Sequence, residues 1–172
     1  MKTVLLLFAF AFLLQYKGYA QDGKRLYREG VAAAKKGEID FAFISFHRLL
    51  LDFPESKYRE QALFAVGEYY FSIGGYNDAV RHFTQLADDF PQAQNRPFAL
   101  AYLLAMAKKS GTDDRVAQIE KELIGSQQLS LLFREFKEIQ YTSALDKHYK
   151  ALNFIDKILI CVEDEPLAEI SF

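Results

Sequence analysis

The residue types that most often carry out chemistry are few in this chain and show no catalytic spacing. The histidines, His47, His82 and His148, share no metal-ligand spacing with each other or with the single cysteine, Cys161. His-Glu-x-x-His, glycine-rich phosphate-loop and Gly-x-Ser-x-Gly motifs do not occur. Cys161 lies in the apolar run Ile158–Val162, where a thiol is most often an inert buried group, because a reactive thiolate needs cationic neighbours. The sequence therefore predicts a protein that is not an enzyme and has no metal or cofactor.

Neighbouring carboxylates are the remaining candidates for a chemical site. Asp88-Asp89 and Asp113-Asp114 could bind a cation, but in turns and first turns of helices such pairs more simply act as caps and dipole partners. Glu163–Glu165 is predicted to be a solvated turn. The formal net charge of −2 leaves no basic surface for nucleic acid, so no nucleic-acid partner is expected.

The first 20 residues are predicted to be a cleaved secretory signal. Lys2 supplies positive charge, Val4–Leu14 is a run of 11 apolar residues, and Gly18–Ala20 has the small residues that a signal peptidase recognises. This run is shorter than the ~20 apolar residues that span a membrane. A bacterial lipoprotein carries a cysteine after its cleavage site, whereas this chain has Gln21 there. The expectation is a mature protein that begins near Gln21, without a lipid anchor or membrane span, soluble in the bacterial periplasm or secreted.

An internal repeat predicts the elements that organise the rest of the chain. Gly37, Gly74 and Gly111 are 37 residues apart. The segments Gly37–Pro54 and Gly74–Pro91 both read Gly-x-x-x-x-Ala-x-x-x-Phe-x-x-Leu-x-x-Asp-Phe-Pro. A fixed period of this length is typical of a solenoid, in which stacked units present a long surface to another macromolecule. The repeat therefore favours binding over catalysis.

Each unit is predicted to be a hairpin of two helices. In the second unit, apolar residues follow one helical stripe from Leu63 to Phe71 and another from Ala79 to Leu86. The glycine pair Gly74-Gly75 separates the two helices, and Asp89-Phe90-Pro91 ends the second.

These units resemble the tetratricopeptide repeat. The matching residues are Gly67, Tyr70, Gly74, Ala79, Phe83 and Pro91 in the second unit and Gly30, Gly37, Ala42, Phe46 and Pro54 in the first. The third unit is degenerate, because Leu104, Ala107 and Glu120 replace the expected Gly, Tyr and Phe. The resemblance covers about residues 23–124 and implies small residues where two helices approach, with aromatic side chains between them.

The period is 37 residues rather than the common ~34, and the extra residues follow the Asp-Phe-Pro turn. This spacing is similar to the repeat variant of Gram-negative envelope proteins, which include the lipoprotein of the β-barrel assembly machine and the soluble periplasmic coordinator of the Tol-Pal system. Because Gln21 takes the place of the lipidated cysteine, the chain is more similar to the soluble coordinator. The resemblance implies a role in the cell envelope, in a process such as outer membrane biogenesis.

The resemblance also implies a concave partner-binding groove lined by the first helix of each unit. By position, its side chains are Lys24, Tyr27, Val31 and Lys35, then Gln61, Phe64, Glu68 and Phe71, then Phe98, Ala101 and Ala105. Aromatic residues edged by charge suit an extended or helical peptide. The alternative for Phe64 and Phe71 is packing against a neighbouring repeat. A clamp for a C-terminal carboxylate is disfavoured, because Val31 replaces its Asn.

The repeat pattern ends after Ile124, and the C-terminal part has two interpretations. Leu129, Leu132, Phe133 and Phe136 predict one further helix that caps the array. Beyond it, two β-type runs at residues 155–162 and 167–172 predict a hairpin, joined by a third strand near residues 139–141. The competing interpretation is a fourth helical hairpin through Leu145, Tyr149 and Leu152.

The predicted fold is mainly α: an α-solenoid of two clear hairpins and one degenerate hairpin, with a capping helix and a small C-terminal β-hairpin. Its predicted domains are a signal peptide at 1–20, a helical array with capping helix at 21–136, and a C-terminal segment at 137–172. The predicted function is an exported scaffold or adaptor that binds an envelope protein or peptide segment through the groove. The alternative is an auxiliary or regulatory subunit of a cell-wall or protease system whose catalytic part is on another chain.

Overall fold

A computed structural model describes residues 22–132, 138–154 and 156–171, with side chains described up to residue 125 in the first stretch. The helices are α1 at 22–35, α2 Ile39–Asp52, α3 Arg59–Ser72, α4 Tyr76–Asp89, α5 Arg96–Ser110 and α6 Asp113–Leu132. The predicted signal peptide and the capping residues Phe133 and Phe136 lie outside the described residues. Leu129 and Leu132 lie in α6.

The helices form three consecutive hairpins, so the predicted helical repeat is confirmed. Each hairpin turns at a glycine with a left-handed backbone, Gly37 with φ of 77°, Gly74 with 78° and Gly111 with 69°. A residue with a Cβ would lose about 1–2 kcal/mol in this conformation. The three glycines, which are 37 residues apart in the sequence, therefore mark the turns of the three hairpins.

Glycine and phenylalanine meet between the two helices of each clear repeat. A Cβ at Gly30 would lie 2.7 Å from the ring of Phe46, and a Cβ at Gly67 would lie 2.7 Å from the ring of Phe83. Both phenylalanines are fully buried. In the third repeat Leu104 is buried where the others have glycine, and α6 packs Ile119 and Leu123 into the same core.

Gly67→Ala is expected to destabilise the protein by about 1–3 kcal/mol, as overpacking of a core does. The ring of Phe83 cannot move away freely, because it stacks on Tyr102 at 4.7 Å and meets Phe64 at 5.6 Å. Gly125→Ala in α6 is the control, since a Cβ there has no atom within 4 Å. Both changes gain helix propensity, so the difference between their urea-unfolding free energies isolates the clash. Equal free energies would contradict the close approach at Gly67.

The C-terminal part is a four-stranded antiparallel sheet in the order β1-β2-β3-β4. Its strands are β1 Glu138–Thr142, β2 His148–Asn153, β3 Lys157–Val162 and β4 Glu165–Ser171. The predicted hairpin corresponds to β3 and β4, and the predicted third strand to β1. Glu163 and Asp164 both have positive φ, 50° and 65°, as a two-residue hairpin turn requires.

The strand β2 shows that the competing interpretation, a fourth helical hairpin through Leu145, Tyr149 and Leu152, is wrong. Burial alternates along this segment, with Tyr149, Ala151 and Asn153 buried and the intervening residues partly exposed. This period of two places one face of the strand on the helices. Leu145 is buried in the turn before β2.

The sheet packs across the first helices of the repeats. Tyr149, Ile158, Ile160 and Ile170 belong to the same buried cluster as side chains of α3 and α5. Ala144 and Leu145, in the β1–β2 turn, belong to a second buried cluster together with side chains of α1, α2 and α3. The helical array and the sheet therefore share their cores.

Candidate functional site

The side chains predicted to line the concave groove lie on α1, α3 and α5, and they differ in burial. Phe64, Glu68, Phe98 and Ala101 are fully buried. Lys24 and Lys35 are exposed, whereas Tyr27, Val31, Gln61, Phe71 and Ala105 are half-buried. The prediction that the four buried residues are offered to a partner is wrong for the structure with the sheet in place.

Two tyrosines of the sheet cover the centre of the predicted groove. The ring of Tyr141 lies 5.5 Å from that of Phe64 and 5.8 Å from that of Phe98. The ring of Tyr149 lies 5.4 Å and 5.1 Å from the same two phenylalanines. These distances are those of aromatic rings in direct contact. The protein therefore fills its own concave face with the C-terminal sheet.

The half-buried aromatic residues of the predicted groove also pack within the protein. Tyr27 stacks on Tyr58 with ring centroids 4.3 Å apart. Phe71 lies 4.7 Å from Tyr102 of the next repeat and 5.6 Å from Tyr76. The alternative of packing against a neighbouring repeat is therefore confirmed for Phe71. Phe64 also packs on the next repeat, at 6.3 Å from Tyr102.

A polar cluster with Glu68 at its centre lies inside this aromatic interface. The hydroxyl of Tyr149 donates to Glu68 Oε1 at 2.6 Å, and that of Ser143 donates to the same oxygen at 3.1 Å. The Tyr149 hydroxyl also lies 2.7 Å from the hydroxyl of Tyr102. Glu68 Oε2 is buried with no hydrogen-bond partner among the described residues.

Burial raises the pKa of Glu68 to about 7, against an ordinary value of 4.5. The charge of Lys147 and the hydrogen bonds from Tyr149 and Ser143 lower this pKa, and the charge of Glu163 raises it. Burial is the largest effect, because a carboxylate without water is costly. Burial and the nearby carboxylate also raise the pKa of Tyr149 well above its ordinary range, so this hydroxyl remains a donor.

A second buried polar contact joins the sheet to the start of α5. The side-chain amide of Asn95 is buried and donates to the Tyr141 hydroxyl at 3.3 Å. Its neighbour Gln94 donates to the backbone oxygen of Gln140 at 3.1 Å. These contacts fix β1 on the helices at one edge of the sheet. At the opposite edge, the backbone oxygen of Glu169 in β4 accepts a hydrogen bond from Lys108 Nζ at 3.3 Å.

The outer face of α2 remains open, and it is unusually apolar. Phe41, Ile44 and Leu51 are exposed to 64%, 50% and 67%. Arg48 lies in the same line, with a side chain 60% exposed. The equivalent positions in α4, 37 residues later, are Asp78, Arg81, Gln85 and Asp88. The sequence carries a signal for this surface, because α2 has apolar residues at repeat positions where α4 has charged ones.

The titratable residues considered for chemistry do not form a site in the described parts of the chain. Cys161 is buried, and burial raises the pKa of its thiol. His82 Nδ1 lies 2.8 Å from the backbone oxygen of Asp78, and burial lowers the pKa of its imidazole. No three His, Cys, Asp or Glu side chains within the described ranges are grouped closely enough to hold a metal ion.

The family model YfiO, described as an outer membrane lipoprotein, matches residues 19–153. The matched segment covers the helical array and extends to the end of β2. No curated protein matches the chain. In the residues with a described structure, the helices are too short or too polar to cross a membrane.

Proposed function

Because the chain belongs to the YfiO family of outer membrane lipoproteins, we propose that it is an envelope scaffold that binds an amphipathic helix of another envelope protein on the outer face of α2. The observation that carries this proposal is the exposed apolar stripe on that face. Membership of the family supports the envelope location, whereas the surface and the partner come from the geometry.

The spacing of the stripe suits a helix as the partner. Phe41, Ile44, Arg48 and Leu51 follow each other at intervals of three, four and three residues. This alternation is the spacing of a helix-helix seam. Arg48 interrupts the apolar residues with a charge that pairs with Asp52 of the same helix at 3.6 Å. Its side chain is still 60% exposed, so an acidic residue is expected at the facing position of the partner helix.

Two finer predictions remain proposals. The likeness to the soluble Tol-Pal coordinator and the expectation of a mature protein without a lipid anchor both rest on Gln21. The description of the family as lipoproteins does not fit that expectation. The alternative role, an auxiliary subunit of a cell-wall or protease enzyme, uses the same exposed face, and the identity of the bound protein distinguishes it from a scaffold.

Site-specific photo-crosslinking tests the proposed surface. A photoreactive amino acid in place of Ile44 is expected to crosslink to an apolar helical segment of an envelope protein with an acidic residue, identified by mass spectrometry. Phe41→Asp with Leu51→Asp, which copies the residues of α4 at the equivalent positions, is expected to reduce the yield about tenfold or more. The same amino acid in place of Arg81 on α4 is the matched control.

Three outcomes would contradict the proposal. They are crosslinks from position 44 to a second copy of this chain, crosslinks to lipid, and equal yields from positions 44 and 81. A partner that is a cell-wall enzyme or protease would support the auxiliary-subunit alternative while keeping the surface.

A further inference from the structure

The contacts between the sheet and the concave face are of two kinds. Aromatic packing of Tyr141 and Tyr149 on Phe64 and Phe98 does not depend on pH. The hydrogen bonds to Glu68 do, because a carboxyl group can lose its proton. Both described donors to Glu68, Ser143 and Tyr149, belong to the C-terminal segment, so each bond joins the sheet to α3.

The surroundings of Glu68 favour a neutral carboxyl. On the α5 side the facing group is the Tyr102 hydroxyl, and on β2 it is the Tyr149 hydroxyl. The Tyr141 hydroxyl of β1 also interacts with the charge of Glu68. The β1–β2 turn contributes Ser143 and the charge of Lys147, and the β3–β4 turn contributes the charge of Glu163, which opposes ionisation. Glu68 Oε2 has no described partner to stabilise a charge. An ionised Glu68 is therefore a buried carboxylate for which the described residues supply one nearby cation, the half-buried Lys147.

We propose that Glu68 is an ionisation-sensitive latch: the C-terminal sheet is held most firmly on the concave face when Glu68 is protonated, and ionisation of this buried carboxyl increases the equilibrium constant for release of the sheet, which uncovers Phe64 and Phe98. The inference does not depend on binding at α2.

The direction of the effect follows from proton linkage. With the sheet released, Glu68 is solvated and ionises near its ordinary pKa of 4.5, whereas burial under the sheet raises the pKa to about 7. The sheet is therefore held most firmly below pH 4.5, and the hold weakens as the pH rises to about 7. Between those values the equilibrium constant for release is expected to increase roughly tenfold per pH unit, and above them to level off.

Hydrogen–deuterium exchange of the sheet tests the latch. Amides of residues 138–154 are measured at pH 5, 6, 7 and 8 and corrected for the intrinsic exchange rate. In the unmodified chain the opening constant should rise roughly tenfold per unit up to pH 7. In Glu68→Gln it should be independent of pH. Glu60→Gln is the control, because Glu60 lies on the same helix and burial also raises its pKa.

A flat profile in the unmodified chain, or the same profile in Glu68→Gln, would overturn the proposal. If Glu68→Gln does not fold, Ser143→Ala gives an independent test. This variant removes a donor that favours the ionised carboxyl, so the pH at which the profile levels off should move upwards. If the profile of Ser143→Ala levels off at the same pH as that of the unmodified chain, the latch is also overturned. A failed crosslinking experiment at α2 leaves these measurements unaffected.

Discussion

Phe64→Ala is expected to lower the free energy of unfolding by about 3–5 kcal/mol, the range for removal of a buried aromatic ring. The ring of Phe64 is fully buried and meets the rings of Phe83, Tyr102, Tyr141 and Tyr149. These neighbours come from α4, α5, β1 and β2. The cavity would therefore open at the junction of the helical array and the sheet, where collapse would require both to move.

Urea unfolding of two further variants gives the scale for this result. Phe83→Ala should cost about the same as Phe64→Ala, because both rings are fully buried. Phe41→Ala, on the exposed face of α2, should cost less than about 0.5 kcal/mol. A loss below about 1 kcal/mol for Phe64→Ala would mean that the sheet does not cover the concave face in solution.

Tyr149→Ala is expected to cost about 3–5 kcal/mol as well, and Tyr149→Phe about 1–2 kcal/mol. The alanine variant loses the ring between Phe64 and Phe98, whereas the phenylalanine variant loses only the hydroxyl that donates to Glu68. Glu68 accepts this bond more strongly as a carboxylate. The cost of Tyr149→Phe should therefore be larger at pH 8 than at pH 5.

Chemical denaturation at both pH values measures these costs. Tyr102→Phe is a suitable comparison, because its hydroxyl contacts that of Tyr149 and makes no described hydrogen bond to Glu68. A cost of Tyr149→Phe that is equal at pH 5 and pH 8 would show that the hydroxyl does not act on an ionised Glu68.

The sequence was sufficient for the helical hairpins because their signals are local. The turns at Gly37, Gly74 and Gly111 need a left-handed residue, and the pairs of glycine and phenylalanine fix how each hairpin closes. These requirements act within a single repeat, so their spacing is visible in the chain.

The cover over the concave face was not predicted, although α3 and α5 carry a signal for it. Residues 62–67 of α3 and residues 98–104 of α5 are runs without a charged residue, Ala-Leu-Phe-Ala-Val-Gly and Phe-Ala-Leu-Ala-Tyr-Leu-Leu. A helix that is apolar on all sides must be covered on all sides. The repeat position of Phe64 and Phe98 indicates an open face, whereas the all-round apolar character of their helices indicates a cover.

The strand β2 and the Glu68 cluster lie beyond what local patterns can indicate. Tyr149 and Ala151 flank the polar Lys150, but Leu152 follows directly, so the segment is too short and too irregular to separate a strand from a helix. The partner that fixes Tyr149 is Glu68, 81 residues earlier in the chain. A contact over that distance depends on the assembled fold, and a single sequence does not display it.

The separation in sequence between the concave face and its cover also has a kinetic consequence. The helical hairpins form from contacts within one repeat, whereas Ser143 and Tyr149 reach Glu68 across 75 and 81 residues. Contacts of such high contact order form late in folding. During synthesis, the α3–α5 surface with Phe64 and Phe98 is thus complete before the strands that shield it are in place. In that interval the nascent chain exposes an apolar aromatic surface, which promotes aggregation unless a holdase chaperone binds it.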